Sequence, residues 1–223
     1  MTAPAIGIDG YRGGWVAAVL ADGALTWRTA PVPDIGALLS PGATTGIDMP
    51  IGLMDTGLRA CDALARQSLP GAASRVFTTP PRAVLELGLT APNAEAQRVC
   101  RDLTGAGVSR QALGLATRIL ALDDHLDAHP ELDVVEVHPE LSFAALVGRV
   151  LPSKKSAPGV GARVSALESW RPEIAHDLSQ APADVPVDDA LDALAALWSA
   201  VRWREGRART LPEGAHERPF IAV

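Results

Sequence analysis

The sequence predicts an α/β protein built on a mixed sheet, and three observations carry that prediction. Short apolar runs at residues 5–9, 15–21 and 25–29 are separated by glycine turns, the second being Asp22-Gly23, a pair suited to a two-residue hairpin. Two more short apolar runs, residues 44–48 and 134–137, stop at Pro50 and Pro139. Stretches of helical composition lie between and after these runs.

Residues 5–9, 15–21 and 25–29 therefore open the chain as three antiparallel strands. Residues 34–39 follow as one or two helical turns with Asp34 as the expected cap, and residues 44–48 form the fourth strand. Residues 51–131 differ in character and read as a helical insertion, with helices at 58–69, 94–103 and 109–128 and an interruption at Thr79-Pro80-Pro81-Arg82. Residues 134–137 make the fifth strand and 142–150 a short helix. A loop at 152–161 carrying Lys154, Lys155 and two glycines leads to a helix at 162–170. The last strong helix runs from 189 to about 204, and residues 219–223 supply one more short strand. A single domain over residues 1–223, containing that insertion, is the expected organisation.

Composition narrows the function. With 48% apolar and 21% charged residues the chain is globular, and with only 4% aromatics it offers few rings on which bases could stack. A net charge of −6 argues against a protein that coats nucleic acid by neutralising phosphates. Cys61 and Cys100 fit neither a disulfide framework nor a C-x-x-C metal pair, so both read as reduced thiols and a cytoplasmic location is expected. No apolar run near the N-terminus is long enough to span a bilayer, so no membrane partner is expected.

Four carboxylates stand out. Asp9 and Asp48 each end an apolar strand, where a desolvated acid costs stability unless a cation or donors face it. Parallel neighbouring strands would set these two side by side. Asp9 precedes Gly10, so a turn aspartate bonding its own backbone is the competing reading for it. Asp189 and Asp192 are three apart and share a helix face, continued by the small side chains of Ala193 and Ala196. Capping accounts for an acid in the first turn, but Asp192 lies past it.

Glu136, His138 and Glu140 alternate at the end of the fifth strand, so Glu136 is expected at the same edge as a further catalytic acid. His138 is either a proton-transfer or metal-ligating group or a histidine bonded to a neighbouring acid; Glu140 could equally cap the next helix. Lys154 and Lys155, with Arg163 beyond, and Arg12 after Asp9 are candidates for holding phosphate, with solvated charge as the plainer reading. Arg59, Arg66, Arg75, Arg82, Arg202, Arg204, Arg207 and Arg209 are candidate substrate-backbone contacts. The Gly10–Gly14 turn has neither dinucleotide-binding nor P-loop spacing.

Taken together, the runs Ile6-Gly-Ile-Asp-Gly-Tyr-Arg-Gly-Gly-Trp15, Gly46-Ile-Asp-Met-Pro-Ile-Gly52, Glu136-Val-His-Pro-Glu-Leu-Ser-Phe143 and Asp189-Ala-Leu-Asp-Ala-Leu-Ala195 resemble a domain-of-unknown-function family of predicted RNase H-like nucleases. The closing Asp-x-x-Asp helix is similar to that of the Holliday-junction resolvase RuvC, in the same superfamily. The resemblance implies an RNase H-like fold: a mixed five-stranded sheet with strands 1–3 antiparallel, helices on both faces, and acids of the first strand, fourth strand and last helix meeting at one edge. Asp9 would be the metal-bridging acid, Asp48 the fourth-strand acid and Asp189 with Asp192 the helix pair. RuvC-type enzymes carry a glutamate where Asp48 stands, and the insertion here is larger.

The expected function is thus a nuclease hydrolysing phosphodiester bonds of a nucleic acid with two Mg²⁺ or Mn²⁺ ions held by Asp9, Asp48, Asp189 and Asp192, with Glu136 adjacent. Two rivals share the topology. One is an actin- or sugar-kinase-like phosphotransferase, which normally needs two such domains and here would require a homodimer. The other is a non-catalytic binding or regulatory protein.

Overall fold

The computed structural model describes residues 3–223. β1 (Ala5–Tyr11), β2 (Gly14–Ala21) and β3 (Ala24–Ala30) form the expected antiparallel opening. Asp22 at φ 47° and Gly23 at φ 83° both take left-handed backbone, which a two-residue hairpin turn requires and which Asp-Gly tolerates. β4 (Thr44–Ile47) runs parallel to β1, with Gly7 opposite Gly46 and Ile8 opposite Ile47. β5 (Asp133–Val137) runs parallel to β4 and sets Glu136 opposite Ile47. The ladder outlasts β4 by one bond, from the Asp48 N–H to the Ile8 carbonyl at 2.9 Å, which draws Asp48 alongside the end of β1.

The sheet is mixed but has seven strands where five were expected. β6 (Thr210–Leu211) and β7 (Ile221–Ala222) join it, and its order is β3-β2-β1-β4-β5-β7-β6. β7 lies within the short strand expected at 219–223, whereas β6, two residues long, is too short to leave a periodicity in the sequence. Residues 32–38 wind as 3₁₀ turns entered from Pro31, with Asp34 inside the segment rather than capping it.

The chain divides into two compact units. One comprises Pro50–Pro130 and Thr210–Ile221, the other the described residues up to Met49 together with Glu131–Arg209 and Ala222–Val223. The first contains α1 (Ala60–Gln67), α2 (Arg82–Thr90), α3 (Asn93–Thr104), α4 (Arg110–Gly114) and α5 (Ala116–Ala128). Pro80-Pro81 starts a helix instead of interrupting one, because Pro81 occupies the cap of α2, where a missing N–H breaks no helical bond. The run at 109–128 is two helices parted at Leu115; Ser109 caps the earlier one by accepting from the Ala112 N–H at 3.0 Å. Val84, Ala96, Cys100, Val108 and Ala112 form this unit's core.

Three of its arginines prove to be internal ties. Arg59 is buried and pairs with Asp62 at 2.9 Å, and Asp62 also accepts the Thr79 N–H at 2.7 Å. Arg66 donates to the Val76 carbonyl at 2.8 Å. Arg82 binds Glu86 at 2.9 Å, Asp123 at 2.6 Å and Asp124.

The other unit contains α6 (Pro139–Val147), α7 (Ala157–Trp170), α8 (Ile174–Ser179) and α9 (Val187–Arg204). α7 begins five residues before the expected 162, because Ser156 caps it by accepting from the Gly159 N–H at 3.2 Å and Pro158 fits the first turn. α9 fixes the site. It is buried continuously from Ala190 to Val201 and lies on β1 and β4 with its backbone touching theirs. A Cβ on Gly7 would stand 2.1 Å from the Ala193 carbonyl oxygen, and one on Gly46 would stand 2.5 Å from that of Ala196. Leu191, Leu194, Leu197 and Val201 then close a core with Phe143, Ala166 and Leu167. Among the described residues no helix is long and apolar enough to cross a membrane.

Candidate metal centre

Asp9 lies near the end of β1, on the face that carries Gly7 and therefore α9, since side chains alternate along a strand. Asp48 follows β4 on the same face by the same alternation from Gly46. Asp192 sits one turn inside α9, immediately before the Ala193 carbonyl that touches Gly7. Three elements far apart in sequence thus deliver one carboxylate oxygen each, and these oxygens all lie within 4.8 Å of one another. Asp9 and Asp192 are buried and Asp48 is partly buried.

Crowding three acids out of water has the expected electrostatic effect. Burial first, then the charges of Asp48, Asp192 and Asp189, push the Asp9 carboxyl well above its usual range, with Lys154 pulling it back. Burial raises Asp48 to about 7 against the opposing pull of Lys154, with Glu140 and Asp189 adding to the rise. Asp192 also rises to about 7, by burial first, with Lys154 opposing and Asp48 and Glu140 reinforcing. Asp9 also accepts the Gly10 N–H at 2.7 Å, so the turn bond and the convergent cluster coexist on one carboxylate.

The other candidates divide. Asp189, one turn before Asp192 and half-buried, is within electrostatic reach of Asp9 and Asp48. Glu136 takes the opposite face of the sheet: its neighbours Val135 and Val137 share Gly46's face, where Val137 would meet a Cβ on Gly46 at 3.0 Å. The alternation that suggested a shared edge is real, but its register sends Glu136 away from Asp9 and Asp48. His138 ends β5 in extended backbone as the cap residue of α6, on Glu136's side. Glu140 is not on the strand; it lies buried in the first turn of α6 and pairs with Arg163 at 2.5 Å.

Lys154 and Lys155 differ sharply. Lys155 is exposed, whereas Lys154 reaches into the cluster and donates from Nζ to Asp192 Oδ2. Burial would lower the Lys154 pKa, but Asp192, Asp9 and Asp48 outweigh it and raise it. Arg12 is exposed in the turn after β1. Arg163, grouped with the lysines as a phosphate candidate, is wholly buried. The C-terminal arginines are also engaged: Arg202 stacks over Trp198 at 4.8 Å, and Arg207 pairs with Glu205.

Three carboxylate oxygens gathered this closely could hold a metal ion, and oxygen ligands suit a hard cation.

A family model described as Protein of unknown function (DUF429) matches residues 7–217, a span that includes Asp9, Asp48, Lys154, Asp189 and Asp192. The chain belongs to that family. No curated protein and no solved structure matches it. Within this DUF429 chain the acids of β1, of the β4 end and of α9 are therefore the site to interpret chemically.

Proposed function

We propose that this DUF429 protein is a divalent-metal-dependent hydrolase of phosphodiester bonds, an RNase H-like nuclease acting on a nucleic acid. The observation that carries the reading is the convergence of Asp9, Asp48 and Asp192 within 4.8 Å from three sequence-distant elements. Structural acids are paired with donors where they are buried; here three share one space with one ammonium among them, an excess of negative charge that a cation relieves. The order of strands β3-β2-β1-β4-β5, antiparallel at the start and then parallel, supports the RNase H-like assignment.

Asp9, Asp48 and Asp192 would hold Mg²⁺ or Mn²⁺, with Asp189 as a further oxygen ligand at the mouth. A bound ion supplies Lewis acidity and a water acidic enough to attack phosphorus near neutral pH. The Gly10 N–H fixes one Asp9 oxygen, and the backbone contact of α9 on Gly7 and Gly46 holds Asp192 at a set depth. Glu136 has no part in this chemistry, given its face of the sheet.

The test is Mn²⁺-dependent cleavage of single-stranded, duplex, hybrid and branched substrates by the wild type and Asp9→Asn. The wild type should cut at least one of them, and the variant should lose at least about 100-fold in rate, the scale expected when a metal ligand is lost. Cleavage by neither protein, or by both equally, would overturn the proposal.

A further inference from the structure

Lys154 is held in the acidic cluster by a purpose-shaped loop. Arg163, wholly buried in α7, donates to the carbonyls of Pro152 at 2.8 Å and Gly159 at 3.0 Å and to Glu140 at 2.5 Å. Between those anchors the Ser156 hydroxyl donates to the Ser153 carbonyl at 2.8 Å. Gly159 lets the loop fold back this closely, because a Cβ there would stand 1.9 Å from the Ser153 carbonyl oxygen. The backbone on both sides of Lys154 is thereby fixed, and its ammonium is directed onto Asp192.

Charge balance gives this placement a meaning. Asp9, Asp48 and Asp192 carry three negative charges when ionised, and Lys154 returns one. Glu140, already neutralised by Arg163, does not change the balance. The remainder of two negative charges, three when Asp189 is counted, accommodates one divalent ion. Two such ions together with the ammonium would bring five positive charges against four acids even with Asp189 included.

We infer that Lys154 occupies the position of a second cation, so that the centre takes a single divalent ion beside a fixed ammonium instead of the two ions first expected. This rests on the metal-dependent reading above and deepens it. An ammonium there has three donors and a fixed charge, so it can hold a phosphate oxygen against the ion without itself needing oxygen ligands. Its side chain is 31% exposed, open to an incoming anion while anchored on Asp192.

Calorimetric titration of Mn²⁺ into the full chain at about pH 8 tests this. The wild type should bind one ion per chain. Lys154→Gln should bind the first ion at least about ten-fold more tightly, because a like charge beside it is gone, and should admit a second. Lys154→Arg and the exposed-site control Lys155→Gln should stay at one ion, with thermal melts reporting that each variant is folded. Two ions in the wild type would overturn the inference and leave the metal reading standing, and this arm needs no variant. Unchanged affinity and stoichiometry in a folded Lys154→Gln would also overturn it. Failure of all four proteins to bind Mn²⁺ would remove the metal reading and this inference together.

Discussion

Asp192→Asn should weaken an unusual pH dependence of stability in the ion-free protein. Burial lifts the Asp192 carboxyl from 3.8 to about 7, with Lys154 opposing and Asp48 and Glu140 adding to the rise. The folded chain therefore keeps a proton on Asp192 between those values that the unfolded chain gives up. A folded state that binds more protons loses stability as pH rises. The contribution is fully present below about pH 4 and is lost as pH climbs through about 7, opposite to the ordinary behaviour of a salt-bridged acid. At 1.36 kcal/mol per pH unit the displacement amounts to on the order of 4 kcal/mol. Urea unfolding with a chelator present, from about pH 4.5 to 8, measures it. The stability of the wild type relative to Asp192→Asn should fall across that range by roughly 3 kcal/mol, the first part of the loss lying below pH 4.5, because asparagine does not titrate. Adding Mn²⁺ should restore the wild type increasingly as pH rises and its carboxyls ionise, by about 2.7 kcal/mol at 100 times its Kd. Parallel curves for the two proteins would refute the buried-acid argument.

Further outcomes follow from the packing around the centre. Gly7→Ala should cost about 3 kcal/mol or more and weaken Mn²⁺ binding together with it, since the new methyl meets α9 backbone that cannot swing aside; thermal melts and calorimetry report both. Arg163→Met should destabilise by about 3–5 kcal/mol by leaving Glu140 buried without its partner, and the double variant with Glu140→Gln should recover most of that in urea titrations.

Much of the centre was legible because of where its acids fall in the local pattern. Asp22-Gly23 announced the hairpin through backbone chemistry that few other pairs share, and Asp9 and Asp48 stood out as charges closing apolar runs. Asp192 stood out because it lies beyond the reach of capping. Glu136 misled because alternation gives two faces without saying which one a neighbouring strand shares; only the pairing of Ile47 with Glu136 decides it. Lys154 was indistinguishable from Lys155 in sequence, and what separates them is the path of a loop set by Arg163 from a residue nine positions away. Arg82 read as a candidate substrate contact because its partners Asp123 and Asp124, some forty residues on, become neighbours only after folding.

The contact between Gly7 and the backbone of α9 at Ala193 joins segments about 186 residues apart in the chain. At roughly 5–20 residues per second, translation separates the two by about ten seconds or more. A nascent chain carries Asp9 and Asp48 throughout that interval with no helix to seat them, so the cluster comes into being late and all at once. Shortened products ending before residue 187 would carry β1–β5 without the α9 carboxylates.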